Sequence, residues 1–143
     1  MNLPGVPFHV TARLQHREPL FTDVERRVFR IIRHSVKLYR VRLLAYAVMP
    51  NHLHLVLIQG EEPLARVMQT IGRRTALLVH RITGRAGHVF ERAYYAAPCM
   101  DADYLRNAIA YVHLNPVRAR ICETPGAYKW SSHRDYMACD DGA

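Results

Sequence analysis

Cysteine is scarce in this chain, and long uncharged apolar runs are missing. Cys99, Cys122 and Cys139 are odd in number and too far apart for a ligand pair or a redox dithiol. That excludes a disulfide framework and suits a reducing compartment. No run of about eighteen apolar residues is free of charge, and the N-terminus carries no apolar signal segment, so neither export nor membrane spanning is expected and the cytoplasm is the expected location. Internal repeats and low-complexity tracts are also missing. Acidic residues are outnumbered, with 12 Asp and Glu against 20 Lys and Arg, a net charge of +8 and a pI near 9.9. That imbalance is the footprint of a protein with a polyanionic partner. Most of the cations are arginine, the better bidentate phosphate ligand.

With 143 residues the chain can cover one core comfortably and two poorly, so a single domain over residues 1–136 is expected, with 137–143 as a loose polar tail. Phe8 to Leu14 alternates like a strand. Thr22-Asp23 can cap a helix through Tyr39, with Val24, Val28, Ile31, Ile32, Ser35 and Leu38 at core spacing. Its arginine-rich opposite face is expected to meet solvent rather than DNA. Strands follow at Arg42 to Met49 and His52 to Gln59, joined by a two-residue Pro50-Asn51 turn. Pro63 opens a second helix, Leu64 to Thr83, with Ile82 among its apolar positions, and Gly84 closes it. His88 to Ala96 has the pattern of a fourth strand. The order predicts an α+β fold, the antiparallel βαββαβ sheet of ferredoxin-like and RNA-recognition-like (RRM-like) domains, with the strand at His52 placed centrally. A third helix is added beyond it, capped at Met100-Asp-Ala-Asp103 and interrupted at Asn115-Pro116.

Chemistry concentrates in two blocks. Along His52 to Ile58 alternate side chains share a face, so His52 and His54 stand together at the start of an apolar strand, where paired imidazoles can bind a metal. On the third helix Tyr111 and Asn115 are one turn apart on one face, while Leu105, Ile109 and Val112 form a core edge without the tyrosine. A packed tyrosine stripe is the plain alternative. Tyr104, two turns earlier, is the competing hydroxyl, but it has no asparagine at the matching step. His9-Val-Thr11 is like one half of the paired His-x-Thr motif of a phosphoesterase class, and its second copy is missing. Trp130 reads as a core plug ahead of a base-stacking ring, Tyr94 and Tyr95 as packing or stacking aromatics. The remaining histidines, His113 and His133 among them, read as surface or structural residues.

Three blocks together, Tyr46-Ala-Val-Met-Pro-Asn-His-Leu-His-Leu-Val-Leu57, Tyr111-Val-His-Leu-Asn-Pro-Val-Arg-Ala119 and Trp130-Ser-Ser-His-Arg-Asp-Tyr136, resemble the REP-associated tyrosine transposases, relatives of the single-tyrosine HUH transposases of insertion sequences. The resemblance implies a metal-dependent endonuclease and strand transferase that cuts single-stranded DNA at the hairpins of palindromic repeats. It makes Tyr111 the nucleophile, which forms a 5′-phosphotyrosine, and His52, His54 and Asn115 the ligands of a divalent ion, Mg²⁺ or Mn²⁺. Asn115 stands where insertion-sequence members commonly have glutamine. The alternative on the same fold is a hairpin-binding protein for DNA or RNA that has lost catalysis. Expected DNA contacts are Arg13 and Arg17 in the first loop, Arg73 and Arg74 on the second helix, and Arg118 and Arg120 beyond the tyrosine. Both a monomer and a homodimer fit the resemblance.

Overall fold

In the computed structural model, residues 2–141 are described. Strand β1 (Pro7–Arg13) buries Phe8, Val10 and Ala12 on one face and turns His9, Thr11 and Arg13 to the other, as its alternating sequence dictates. Strands β2 (Arg42–Val48) and β3 (His52–Ile58) form a hairpin, and the Met49 amide closes its turn on the His52 carbonyl at 2.8 Å. Helices α1 (Glu25–Leu38) and α2 (Leu64–Thr83) precede β2 and follow β3, and the short β4 (Tyr95–Pro98) completes the sheet. The strand order is β2-β3-β1-β4 with every pair antiparallel, the ferredoxin-like order, with β3 inside.

The sheet separates two cores. Leu53, Leu55 and Leu57 of β3 pack with Val28 and Ile32 of α1 and Val67 and Ile71 of α2. On the other face, Ala45, Ala47 and Val56 pack against Ala108 and Val112 of α3 (Ala102–Arg118). The small alanines of β2 allow that helix close to the strand. Helix α4 (His133–Asp141) follows.

Several boundaries differ from those the sequence predicts. Thr22-Asp23 does not cap α1; Asp23 sits at φ 69° in a preceding turn, and Val24 occupies the cap position without a side-chain bond. Leu38 and Ile82, near the ends of their helices, are exposed rather than core. The strand expected over His88 to Ala96 begins only at Tyr95: residues 91–93 form bends, and upstream a single bridge joins Leu14 to Phe90. Asp101 does cap α3, its side chain accepting the Tyr104 N–H at 2.7 Å. Pro116 does not stop that helix. It lies in the last turn, where its missing N–H forfeits a single bond to the Val112 carbonyl, and the Asn115 carbonyl still receives the Ala119 amide at 2.9 Å. The stretch from Met137, expected as a loose tail, is helical through Asp141, and residues 142–143 lie outside the described residues.

Candidate active site

Strand register decides which side chains meet. Thr11 pairs with His54 and Arg13 with His52, so side chains from adjacent strands line one face below α3. Tyr111 comes down from α3 between them: its ring centroid lies 5.6 Å from that of His54 and 5.6 Å from that of His9. His52 and His54 stand edge to face at 4.9 Å. Asn115, one turn beyond the tyrosine, brings Oδ1 to 3.0 Å from His52 Nε2. The nucleophile and ligand residues expected from sequence therefore converge within one chain.

An amide oxygen faces each ring nitrogen of His52. Asn51 donates from Nδ2 to the Arg17 carbonyl, which turns its Oδ1 toward His52 Nδ1 at 2.6 Å. Burial, with smaller effects from Arg13 and Arg17, holds the His52 pKa below its ordinary value, despite the opposing bond to Asn115. The ring is neutral near pH 7, and its one proton lies on Nδ1 when it is given to Asn51 Oδ1 and on Nε2 when it is given to Asn115 Oδ1. With the proton on Nδ1, His52 Nε2 presents a lone pair to the lone pairs of Asn115 Oδ1. Two such donors 3.0 Å apart repel unless a cation joins them, and neighbouring ligands of an octahedral ion at about 2.1 Å lie about 3 Å apart. The donor set thus fits a hard divalent ion. Among the described residues no three His, Cys, Asp or Glu side chains converge as a metal site, so an ion held here would take its third donor from the Asn115 amide.

His54 is 2% exposed, and burial, followed by His52, His9 and Arg13, pushes its pKa down to about 2. Its Nδ1 lies 3.1 Å from His9 Nε2 and 3.2 Å from Thr11 Oγ1. Those contacts occupy Nδ1 and leave Nε2 for a ligand. Burial also lowers His9. His9 and Thr11 are the site residues that sequence reading missed. The signal was their alternation on β1, whose partner only the sheet order reveals.

Two clefts open on either side of Tyr111. One, of about 260 Å³, is lined by Arg13, Arg17, Asn51, His52, Asn115 and Arg118. The other, of about 560 Å³, includes His9, Thr11, His54, Tyr95 and Tyr104. Among the described residues no Asp or Glu lines either cleft. Because α3 continues through Pro116, the Arg118 guanidinium sits 4.6 Å above the Tyr111 ring. Of the other predicted DNA contacts, Arg74 faces a groove between α1 and α2 and Arg73 a groove beside residues 87–93, while Arg120 follows the helix at φ 60° and lines neither tyrosine cleft. Trp130 packs against both cores, in keeping with a plug.

A ferredoxin-like sheet with two imidazoles on an inner strand and a tyrosine on the overlying helix defines a class, the single-tyrosine transposases. The family model for IS200-like transposases matches residues 3–115, ending on Asn115, and the chain belongs to that family. A structure of a REP-associated tyrosine transposase bound to a REP hairpin superposes with a TM-score of 0.83 over 96% of this chain and 82% of that one, at 16% identity. A candidate transposase from Deinococcus radiodurans R1 covers 76% of this chain and 88% of its own, with a TM-score of 0.57 and 16% identity. At that identity the likeness is one of fold. No curated protein matches the sequence. Among the described residues, no helix is long and apolar enough to cross a membrane.

Proposed function

We propose that this transposase-family protein cuts and rejoins single-stranded DNA at hairpins, with Tyr111 as nucleophile. The observation that carries the reading is the placement of one chain's tyrosine beside its own paired imidazoles, with Asn115 reaching His52 at 3.0 Å. The solved relative bound to a REP hairpin supports the substrate class. Tyr111 Oη forms a bond to phosphorus as the P–O3′ bond breaks, giving a 5′-phosphotyrosine and a free 3′-hydroxyl. The phenol loses one proton and the leaving oxygen gains one. No carboxylate lines the clefts to accept the phenolic proton. Arg13, Arg17 and Arg118 bind the flanking phosphates, and Arg118 also holds the ring from above.

Mg²⁺ or Mn²⁺ on His52, His54 and Asn115 would supply Lewis-acid neutralisation of a non-bridging phosphate oxygen. In the return step a DNA 3′-hydroxyl attacks the phosphotyrosine, and a phenol, with an ordinary pKa of about 10, leaves more readily than a sugar alcohol. That reversibility suits strand transfer.

The test is incubation with a hairpin oligonucleotide carrying a single-stranded flank and Mn²⁺, followed by denaturing electrophoresis. Wild type and Tyr104→Phe should yield a covalent protein–DNA species, and Tyr111→Phe should not. Hairpin binding by the wild type with no adduct would instead establish a binding protein.

A further inference from the structure

We propose that the larger cleft beside Tyr111 is a nucleobase pocket: it takes up the base of a nucleotide next to the scissile phosphate, stacks it on Tyr95 and Tyr104, and reads its edge with Asn107. The proposal rests on the functional reading above and adds to it a specificity site, across the tyrosine from the arginines. Strand register builds the floor. Thr11 pairs with His54 on one side and Tyr95 on the other, so His54, Thr11 and Tyr95 form one cross-strand row on the face under α3. The roof is α3, on which Tyr104, Asn107, Ala108 and Tyr111 stand at i, i+3, i+4 and i+7 and share a face. Two turns, about 10.5 Å along the axis, separate Tyr104 from Tyr111, and Ala108 between them is too small to fill the interval.

The two clefts differ in what they can hold. The smaller gathers Arg13, Arg17 and Arg118 and suits phosphates, whereas among the described residues the larger has Arg13 as its one guanidinium and adds two tyrosine rings. Tyr95 is 70% exposed and Tyr104 48%, so neither ring is held in the core. Aromatic faces left open beside the proposed nucleophile are platforms for unpaired bases, and such stacking accepts any base. Discrimination therefore falls to Asn107, the one side-chain amide of this cleft, which is exposed and makes no side-chain hydrogen bond among the described residues. An amide carries donor and acceptor together and can engage two positions on one base edge. At about 560 Å³ the cleft is within the range of about 300–1,000 Å³ typical of small-molecule pockets, and its neighbour, at about 260 Å³, is below it.

Position ties the pocket to the chemistry. Arg13 and Tyr111 line both clefts. A strand whose phosphates follow the arginines and whose base enters the pocket passes the Tyr111 hydroxyl, and the captured base sets which phosphate arrives there. Phosphate contacts carry no sequence information, so the pocket supplies what they lack, a choice of cutting position.

The experiment uses the full chain carrying Tyr111→Phe, so that binding is read at equilibrium without covalent capture. Fluorescence anisotropy follows a DNA hairpin with its single-stranded flank, each flank nucleotide being made abasic in turn. One abasic position should weaken binding about tenfold, and it should adjoin the bond that the wild type cuts. Adding Tyr95→Ala should weaken binding of the intact flank by a similar factor and abolish the effect of the missing base, whereas Tyr95→Phe, which keeps the ring, should match the parent. Tyr104→Phe keeps its ring in the same way. At the sensitive position the parent should prefer one base, and Asn107→Ala should bind all four alike. A scan with no sensitive position would overturn the proposal, as would equal binding of the four bases by the parent. So would a Tyr95→Ala loss that is the same on intact and abasic flanks, because the base is then held elsewhere. The adduct assay separates the two readings: base coupling without a wild-type adduct keeps the pocket and removes the nucleophile, and an adduct without base coupling does the reverse.

Discussion

Asn51 illustrates how one side chain outside the donor set governs the set. Its Oδ1, 2.6 Å from Nδ1, favours the tautomer in which His52 Nε2 is the unprotonated nitrogen. Thr11 and His9 do the same for His54 from the neighbouring strand. Such outer contacts usually matter about 10- to 100-fold in metal affinity. Asn51→Ala and Thr11→Val should therefore weaken Mn²⁺ binding by about that factor, measured by isothermal titration, while the circular dichroism spectrum stays native. Wild-type affinity in both variants would mean that the tautomers are set by something else. Tyr111 needs no such helper, since its place follows from its step on α3.

Helix α3 holds that step because the segment after it clamps it to the edge of the sheet. Ser132 Oγ accepts the Tyr46 N–H at 2.9 Å and lies 2.7 Å from the Nε2 of buried His113. The Val48 amide bonds the Trp130 carbonyl, and Tyr128 OH donates to the Val48 carbonyl. Together these contacts occupy the free edge of β2 and fix the rotation of α3 about its axis. Ser132→Ala leaves a backbone N–H and an imidazole buried without a partner, which costs about 1–3 kcal/mol. Urea melts should show that loss of stability, and adduct formation should fall with it as Tyr111 loses its fixed approach; a variant as stable as wild type would remove the clamp from the account. The clamp was not legible in the sequence, because Tyr46 and Ser132 lie 86 residues apart and nothing local in either announces the other. Strand β3 and helix α3 were legible, since alternation on one and the step from Tyr111 to Asn115 on the other are local. The late start of β4 after the bends at 91–93 and the passage of α3 through Pro116 in its last turn both depart from the local pattern.

At the scale of the whole molecule, the site is a cluster of imidazoles kept neutral by burial, and that makes stability depend on pH. His54 is held down to about 2 and His113 to about 4, against an ordinary value of 6.5 in the unfolded chain. His9 and His52 are shifted the same way. Above pH 6.5 these rings are neutral in both states and contribute no pH dependence. Below it the unfolded chain takes up protons that the folded chain refuses, so stability falls with acidification, by about 1.4 kcal/mol per pH unit for each ring until its folded pKa is reached. For His54 and His113 together, the loss between pH 6.5 and pH 5 is about 3 kcal/mol at most, a large part of the stability of a domain this size. Urea unfolding in the presence of a chelator should thus show a steep drop from pH 7 to pH 5. A divalent ion on His52 and His54 requires those two rings neutral, so Mn²⁺ should raise the midpoint most near neutral pH and progressively less in acid. A stability curve flat across that range would mean that the rings are protonated in the folded protein, and protonated rings could not present the lone pairs on which the proposed chemistry depends.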